Sequence, residues 1–185
     1  MTQIINPSAP PDKSEKYAIP ERERRFLLAR IPDAPVVWIK RITDRYLPGT
    51  RLRIRQSVET LGDATTIIYK FTQKVPAPDD TPGLITTLYL TRAEYDALAA
   101  VPGRQLIKTR YSMRPLAVDV FDPPLHGLVL AEAEFASEET LQVFTPPSVA
   151  VAEVTRDVRF TGGVLAATTR DELLEALATF GIHPG

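Results

Sequence analysis

Short segments rich in β-branched and aromatic residues, separated by prolines, most constrain what this chain can fold into. Four such segments span residues 51–58, 65–73, 85–90 and 128–135. Side chains point to alternate faces along a strand, and proline interrupts strand pairing. The spacing therefore predicts a meander of antiparallel strands rather than βαβ units.

Three capping patterns predict helices beside these strands. Thr91 and Glu94 form a capping box before an alanine-rich stretch, and Thr169 and Glu172 repeat it before a leucine stripe. In such a box each side chain satisfies a backbone amide at the start of the helix. Ser137 is a third candidate N-cap, with acidic residues behind it that favour the positive end of the helix dipole.

The 185 residues suit a single domain with a sizeable core. We expect a poorly ordered leader at 1–16, a main domain at 17–167 and a helix at 168–185 that packs on it. The absence of cysteine excludes disulfides, thiolate metal sites and cysteine nucleophiles. A net charge of −1 argues against a general nucleic-acid binder. No apolar run could span a bilayer, so we expect a cytoplasmic protein.

Charged residues recur on alternate positions of the predicted strands and therefore share strand faces. A solvent-exposed face explains any single pair of such charges, but the set as a whole is harder to explain that way. Like charges side by side repel unless an anion or carboxylates lie between them. The aligned sets are Arg51, Arg53 and Arg55; Lys70 and Lys74; Lys108 and Arg110; Glu21, Glu23 and Arg25; and Glu132 and Glu134.

Paired glutamates in two separate strands offer the hard oxygen ligands that Mg²⁺ or Mn²⁺ prefers. If the sheet closes on itself, these carboxylates and the basic residues meet inside it. A polyphosphate with its metal is a ligand that matches both kinds of charge. Gly162 and Gly163 lack the strand–loop–helix context of a phosphate loop, so the sequence predicts a turn there.

Seven segments, in order, resemble the CYTH domain of the triphosphate tunnel metalloenzyme superfamily over about four-fifths of the chain. The family opens with Glu-x-Glu-x-Lys, which Glu21-Arg22-Glu23-Arg24-Arg25 resembles. The other segments are Tyr46-Leu47 with Leu52-Arg53-Ile54-Arg55, Tyr69 to Lys74, Lys108 to Tyr111, Val118 to Phe121, Leu130 to Phe135, and Glu153-Val154-Thr155 through Arg159-Phe160.

The resemblance implies a mainly β, α+β fold: an antiparallel eight-stranded barrel or tunnel, possibly incompletely closed, with flanking helices. It implies catalytic and metal-binding roles for Glu21, Glu23, Glu132 and Glu134, with Asp119 and Glu153 as further metal ligands. It also implies that phosphate oxygens are bound by Arg25, Arg53, Arg55, Lys70, Lys74, Lys108 and Arg110. Arginine suits bidentate phosphate contacts, and lysine supplies a compact charge.

The expected activity is Mg²⁺- or Mn²⁺-dependent hydrolysis of inorganic triphosphate, most active at neutral to alkaline pH. Thiamine triphosphate, nucleoside triphosphates and adenylyl cyclisation are alternatives within the superfamily, and a binding module without turnover is an alternative outside catalysis. A purely structural domain would leave the aligned charges unexplained. We expect a small triphosphate-containing ligand, no nucleic-acid or membrane partner, and a monomer or homodimer.

Four residues depart from the family pattern. Arg25 replaces the usual lysine, Phe160 replaces a common tyrosine, and Thr86 and Thr87 stand where many relatives carry acids. The threonines reduce the number of carboxylates that could hold metal. They motivate the hypothesis of a binding module.

Overall fold

The computed structural model describes residues 17–76 and 82–184, so the predicted leader at 1–16 lies outside the described residues. Most of the described chain forms one antiparallel sheet with ten strands in the order β1-β6-β5-β4-β3-β7-β8-β9-β2-β10. The strands are β1 (Ile19–Glu21), β2 (Glu23–Leu28), β3 (Trp38–Tyr46), β4 (Leu52–Leu61), β5 (Ala64–Val75), β6 (Gly83–Leu90), β7 (Arg104–Met113), β8 (Leu116–Phe121), β9 (Val129–Glu134) and β10 (Ala150–Glu153).

The predicted antiparallel meander is confirmed, because β3 to β6 and β7 to β9 pair mostly with their sequence neighbours. Eight strands have six or more residues, whereas β1 and β10 have only three and four. The eight long strands match the predicted number, and the two short ones are the outermost in the sheet order.

The sheet is not closed by hydrogen bonds, but the chain joins its two sides. β1 pairs with β6 and β2 pairs with β9, and only Arg22 separates β1 from β2. β1 and β2 therefore link the β6 side of the curved sheet to its β9 side, with a single residue between them. This arrangement agrees with the expected, incompletely closed barrel.

All three predicted helices are present. They are α1 (Arg92–Ala99), α2 (Glu138–Val143) and α4 (Arg170–Ala178), with N-caps at the predicted threonines and serine. The prediction of a turn at Gly162 was wrong, because α3 (Gly162–Leu165) begins there after a 3₁₀ turn at Val158–Phe160. Only Thr161 separates the 3₁₀ turn from α3, and both glycines lie within α3.

The larger apolar cluster lies between the sheet and the C-terminal segment. It joins strand residues such as Leu106, Phe121 and Leu130 to Phe160 and Leu165, and to Leu173 and Leu177 of α4. A second cluster, around Phe26, Val118 and Ala131, packs with Phe144 and Ala150. None of the helices within residues 17–76 and 82–184 is long and apolar enough to cross a membrane.

Candidate functional site

One concave face of the sheet encloses a cavity of about 180 Å³ that is lined by charged side chains from six strands. Seven cations and four carboxylates line it, a surplus of three positive charges. Strand alternation turns these side chains inward and leaves residues such as Ile54 and Phe71 on the opposite face. The charged lining residues are Glu21, Glu23, Arg25, Arg53, Arg55, Lys70, Lys74, Lys108, Arg110, Glu132 and Glu134.

Arg53 and Arg55 of β4 share one buried partner, Asp44 of β3. Asp44 lies opposite Arg55 in the strand register and accepts two hydrogen bonds from its guanidinium, both 2.7 Å long. Arg53 Nε lies 3.5 Å from the same carboxylate. Burial would raise the pKa of Asp44, but Arg55 and Arg53 outweigh it and lower the pKa to about 2. Asp44 therefore stays ionised and orients both arginines.

Lys108 and Arg110 of β7 are held in the same way by Asp119 of β8. Arg110 donates two 2.7 Å hydrogen bonds to Asp119, and Lys108 donates a short one. Asp119 is fully buried. Burial lowers the pKa of Lys108 despite the attraction of Asp119. We call Arg53, Arg55, Lys108 and Arg110 the cationic wall.

Glutamates of β2 and β9 face one another on the other side of the pocket. Glu23 lies directly opposite Glu134 in the register, and Arg25 lies opposite Glu132. Burial raises the pKa of Glu23, and the negative charge of Glu132 adds to this. Burial would also raise the pKa of Glu132, but Arg110 and other cations hold it well below its usual range. We call Glu23, Glu132 and Glu134 the acidic wall.

Arg25 and Arg110 connect the two walls. Arg25 forms a short ion pair with Glu23, lies 3.6 Å from Glu132 and donates to the carbonyl of Phe160 at 3.2 Å. Arg110 forms a short ion pair with Glu132 as well as its bonds to Asp119. The guanidinium fork of Arg25 thus contacts both a carboxylate and a backbone carbonyl.

The remaining lining charges lie on β1 and β5. Lys74 Nζ is 2.5 Å from Glu21 Oε1. Lys70 Nζ lies 4.9 Å from the centre of the Tyr89 ring, a cation–π distance. Thr87 lines the pocket and contacts Thr72 at 3.3 Å, whereas Thr86, its neighbour in the strand, is not among the lining residues.

Two predicted metal ligands do not line the cavity. Asp119 lies behind the cationic wall and is engaged by Lys108 and Arg110. Glu153 lies on β10, where Arg24 donates to it at 2.6 and 3.0 Å and Thr155 at 2.7 Å. The structure thus separates Glu153 from the other carboxylates, because β10 pairs with β2 beyond the pocket and the side chain meets the outward-facing Arg24.

The sequence motifs did not identify Asp44 as the partner of Arg53 and Arg55, or Tyr46 as a residue that lines the cavity. Tyr46 lines the cavity and also packs against the larger apolar cluster. An aspartate inside a strand is unusual. Asp44 could have been noticed in the sequence because it stands two residues before Tyr46, on the same strand face.

The donor chemistry of the acidic wall fits a hard divalent cation. Three glutamates of the wall and Glu21 nearby supply carboxylate oxygens, and Glu23 and Glu134 repel each other across the strands. Within the described residues no group of three or more acidic or histidine side chains is already arranged as a metal site. Glu23 and Glu132 are instead paired with arginines.

The chain is similar to known proteins both in sequence and in fold. No family model matches the chain. A stretch of 72 residues is 42% identical to an inorganic triphosphatase of Nitrosomonas europaea, and covers 36% of this chain and 48% of the relative. The chain thus aligns with about half the length of that relative.

The solved structures cover much more of the chain. The structure of the inorganic triphosphatase NE1496 matches with a TM-score of 0.54 and 27% identity over 81% of this chain and 96% of its own. A structure described as the hypothetical protein NE1496 matches with a TM-score of 0.53 and 28% identity over 80% and 99%. The chain therefore shares the fold of an inorganic triphosphatase of known structure.

Proposed function

We propose that this chain is a CYTH-type triphosphatase that hydrolyses inorganic triphosphate with the help of Mg²⁺ or Mn²⁺. The observation that carries the proposal is the convergence of seven cations and four carboxylates on one cavity. The likeness to an inorganic triphosphatase in both sequence and fold supports the choice of substrate. Cytoplasmic location and a monomeric or homodimeric state stay predictions of the sequence.

The cationic wall binds the phosphate oxygens in this proposal. Phosphoryl transfer depends mainly on positioning and charge stabilisation, so fixed cations are the main requirement. Asp44 and Asp119 already hold Arg55 and Arg110 by paired hydrogen bonds. These arginines therefore need little reorganisation to neutralise the charge that builds on the leaving diphosphate.

The acidic wall supplies the other half of the chemistry. Glu23, Glu132 and Glu134, with Glu21, would hold the divalent cation, which when bound neutralises phosphate charge and polarises the phosphoryl group. A glutamate of this wall orients the water whose oxygen bonds to the terminal phosphorus as the bridging oxygen leaves with diphosphate. Arg25 and Arg110 pair with Glu23 and Glu132 in the structure, and they would be available to phosphate oxygens if those carboxylates held the cation.

A binding module without turnover is the second candidate. It is favoured by the ion pairs that already engage Glu23 and Glu132 and by Thr87, which adds no carboxylate to the pocket. In this candidate the same cations bind a polyphosphate, and the glutamates serve only to hold arginines in place.

The test is phosphate release from triphosphate, pyrophosphate, ATP and thiamine triphosphate, each with Mg²⁺, with Mn²⁺ and with EDTA. We expect triphosphate to be the preferred substrate and EDTA to abolish turnover. A cyclic nucleotide formed from ATP would identify the adenylyl cyclase alternative. Tight triphosphate binding without turnover under either metal would identify the binding module.

Glu132→Gln and Glu153→Gln form a matched pair within this test. We expect Glu132→Gln to lower kcat/KM by about 100-fold or more, because removing even an indirect supporting group of a metal site costs about 10- to 100-fold. Glu153→Gln should stay close to wild type, since Glu153 contacts Arg24 and Thr155 outside the pocket. Equal losses in both variants would contradict the assignment of the acidic wall.

A further inference from the structure

The C-terminal segment, which holds the 3₁₀ turn, α3 and α4, lines one end of the pocket. Phe160, Gly162 and Leu165 line the cavity beside Leu106 and Phe121 of the sheet. Phe160 and Leu165 belong to the larger apolar cluster, which also holds α4. This end of the cavity is therefore apolar and packed, and Gly162 lies beside the hydroxyl of Tyr46 there.

Gly162 leaves room for the hydroxyl of Tyr46. A Cβ atom at position 162 would lie 1.9 Å from Tyr46 Oη and 2.8 Å from Cζ, distances that real atoms do not adopt. Its backbone conformation is an ordinary one, so the requirement for glycine comes from this contact alone. Gly163, the next residue, would place a Cβ atom 3.8 Å from Tyr46 Cδ1, which is a normal contact.

Tyr46 in turn lies opposite Arg53 of the cationic wall. The two residues are register partners across β3 and β4 and both line the cavity, so the phenol oxygen is placed where it can accept a hydrogen bond from the guanidinium. Burial raises the pKa of Tyr46, so its hydroxyl stays neutral and suits this acceptor role.

Arg53 is held more loosely by its other neighbours. Its contact with Asp44 is 3.5 Å long, against 2.7 Å for Arg55, and its bond to Thr72 Oγ1 is 3.4 Å long. Its buried Nε has no hydrogen-bond partner within the described part of the chain. Arg53 lines the cavity with fewer and longer contacts than Arg55 has, so its guanidinium has hydrogen-bonding capacity left for a ligand there.

We propose that Gly162 is a positioning residue for triphosphate binding, acting through Tyr46 on Arg53. The absence of a side chain at 162 lets the C-terminal segment confine the Tyr46 hydroxyl, and the hydroxyl then fixes the guanidinium that a phosphate oxygen contacts. The proposal rests on the proposed function, because it assigns Arg53 to a phosphate group.

Gly162→Ala and Gly163→Ala form a matched pair that isolates the contact. Both glycines lie in α3 with ordinary backbone angles, so the backbone effect of alanine is the same at both sites. Only Gly162→Ala displaces Tyr46. We expect it to raise KM and the Kd for triphosphate roughly tenfold, the size of one charge-assisted hydrogen bond, with kcat changed less than about threefold. Gly163→Ala should bind triphosphate as wild type does.

Tyr46→Phe tests whether the Tyr46 hydroxyl links Gly162 to Arg53, and it introduces no steric clash. We expect the same rise in Kd as for Gly162→Ala, and a double variant no weaker than either single one, because both changes remove the same interaction. It also gives an answer if Gly162→Ala fails to fold. Binding is measured by calorimetry with triphosphate, and folding by thermal unfolding of every variant.

The outcomes separate this inference from the proposed function. A wild-type protein that neither binds nor hydrolyses triphosphate would overturn both the proposed function and the positioning role of Gly162. If wild type is active but Gly162→Ala matches Gly163→Ala, or Tyr46→Phe leaves Kd unchanged, only the positioning role is overturned. Additive losses in the double variant would also overturn it.

Discussion

On the cationic wall each pair of basic side chains is held from behind by a fully buried aspartate, whereas on the acidic wall the glutamates face one another. Asp44 and Asp119 bond to arginine at 2.7 Å. Glu23, by contrast, lies opposite Glu134 and has a raised pKa. Both walls are part of the same sheet, yet each pair of cations shares a buried counter-charge, whereas Glu23 and Glu134 face one another directly.

The difference shows how a pocket for a polyanion can exist before its ligand arrives. Four cations placed together would repel, but a buried carboxylate behind each pair offsets that repulsion and fixes the geometry. The acidic wall has no such counter-charge on its own strands except Arg25, which Glu23 and Glu132 share. Its glutamates therefore gain most from an added cation, in agreement with the proposed metal role.

Asp44→Asn should have the largest effect on stability. It leaves Arg53 and Arg55 buried without a negative partner, and breaking a buried ion pair costs about 3 kcal/mol or more. Asp122→Asn is the matched change on the outer face, where Arg41 and Asp122 are both partly exposed, and should cost less than about 1 kcal/mol. Urea unfolding measures both. Equal losses would show that the cationic wall is not held by its buried aspartate.

Acid should weaken the cationic wall in a defined window. The pKa of Asp44 is lowered to about 2 from an ordinary 3.8, so its contribution is complete above about pH 4 and is lost as the pH falls towards 2. The shift corresponds to roughly 2 kcal/mol. The difference in unfolding free energy between wild type and Asp44→Asn should therefore shrink over this range. A difference that stays constant down to pH 2 would contradict the lowered pKa.

The cationic wall was largely predictable from the sequence, and its supports were not. Alternation within a single strand placed Arg53 and Arg55 on one face. Asp44 depends on the register between β3 and β4, which local sequence does not give. Glu153 is the converse case. Its motif was recognised, but the sequence does not show which face the end of a four-residue strand presents when the register shifts between Ala150 and Ala152.

The smallest expected change in stability concerns the acidic wall, where a substitution should stabilise the folded protein instead of destabilising it. The raised pKa of Glu23 means that ionising this carboxyl costs more free energy in the folded state than in the unfolded chain. Glu23→Gln removes that charge and keeps an oxygen for Arg25, so in EDTA it should raise the free energy of unfolding by about 0.5 kcal/mol.

Glu153→Gln provides the control for that change. Arg24 lowers the pKa of Glu153 through a hydrogen bond, so this variant should be slightly less stable than wild type. Adding Mg²⁺ should stabilise wild type and Glu153→Gln more than Glu23→Gln, because a cation at the acidic wall relieves the repulsion that Glu23→Gln has already removed. If Glu23→Gln destabilises the EDTA-treated protein as much as Glu153→Gln does, Glu23 is not repelled by its neighbours in the folded state, and the glutamates have no electrostatic reason to hold a cation.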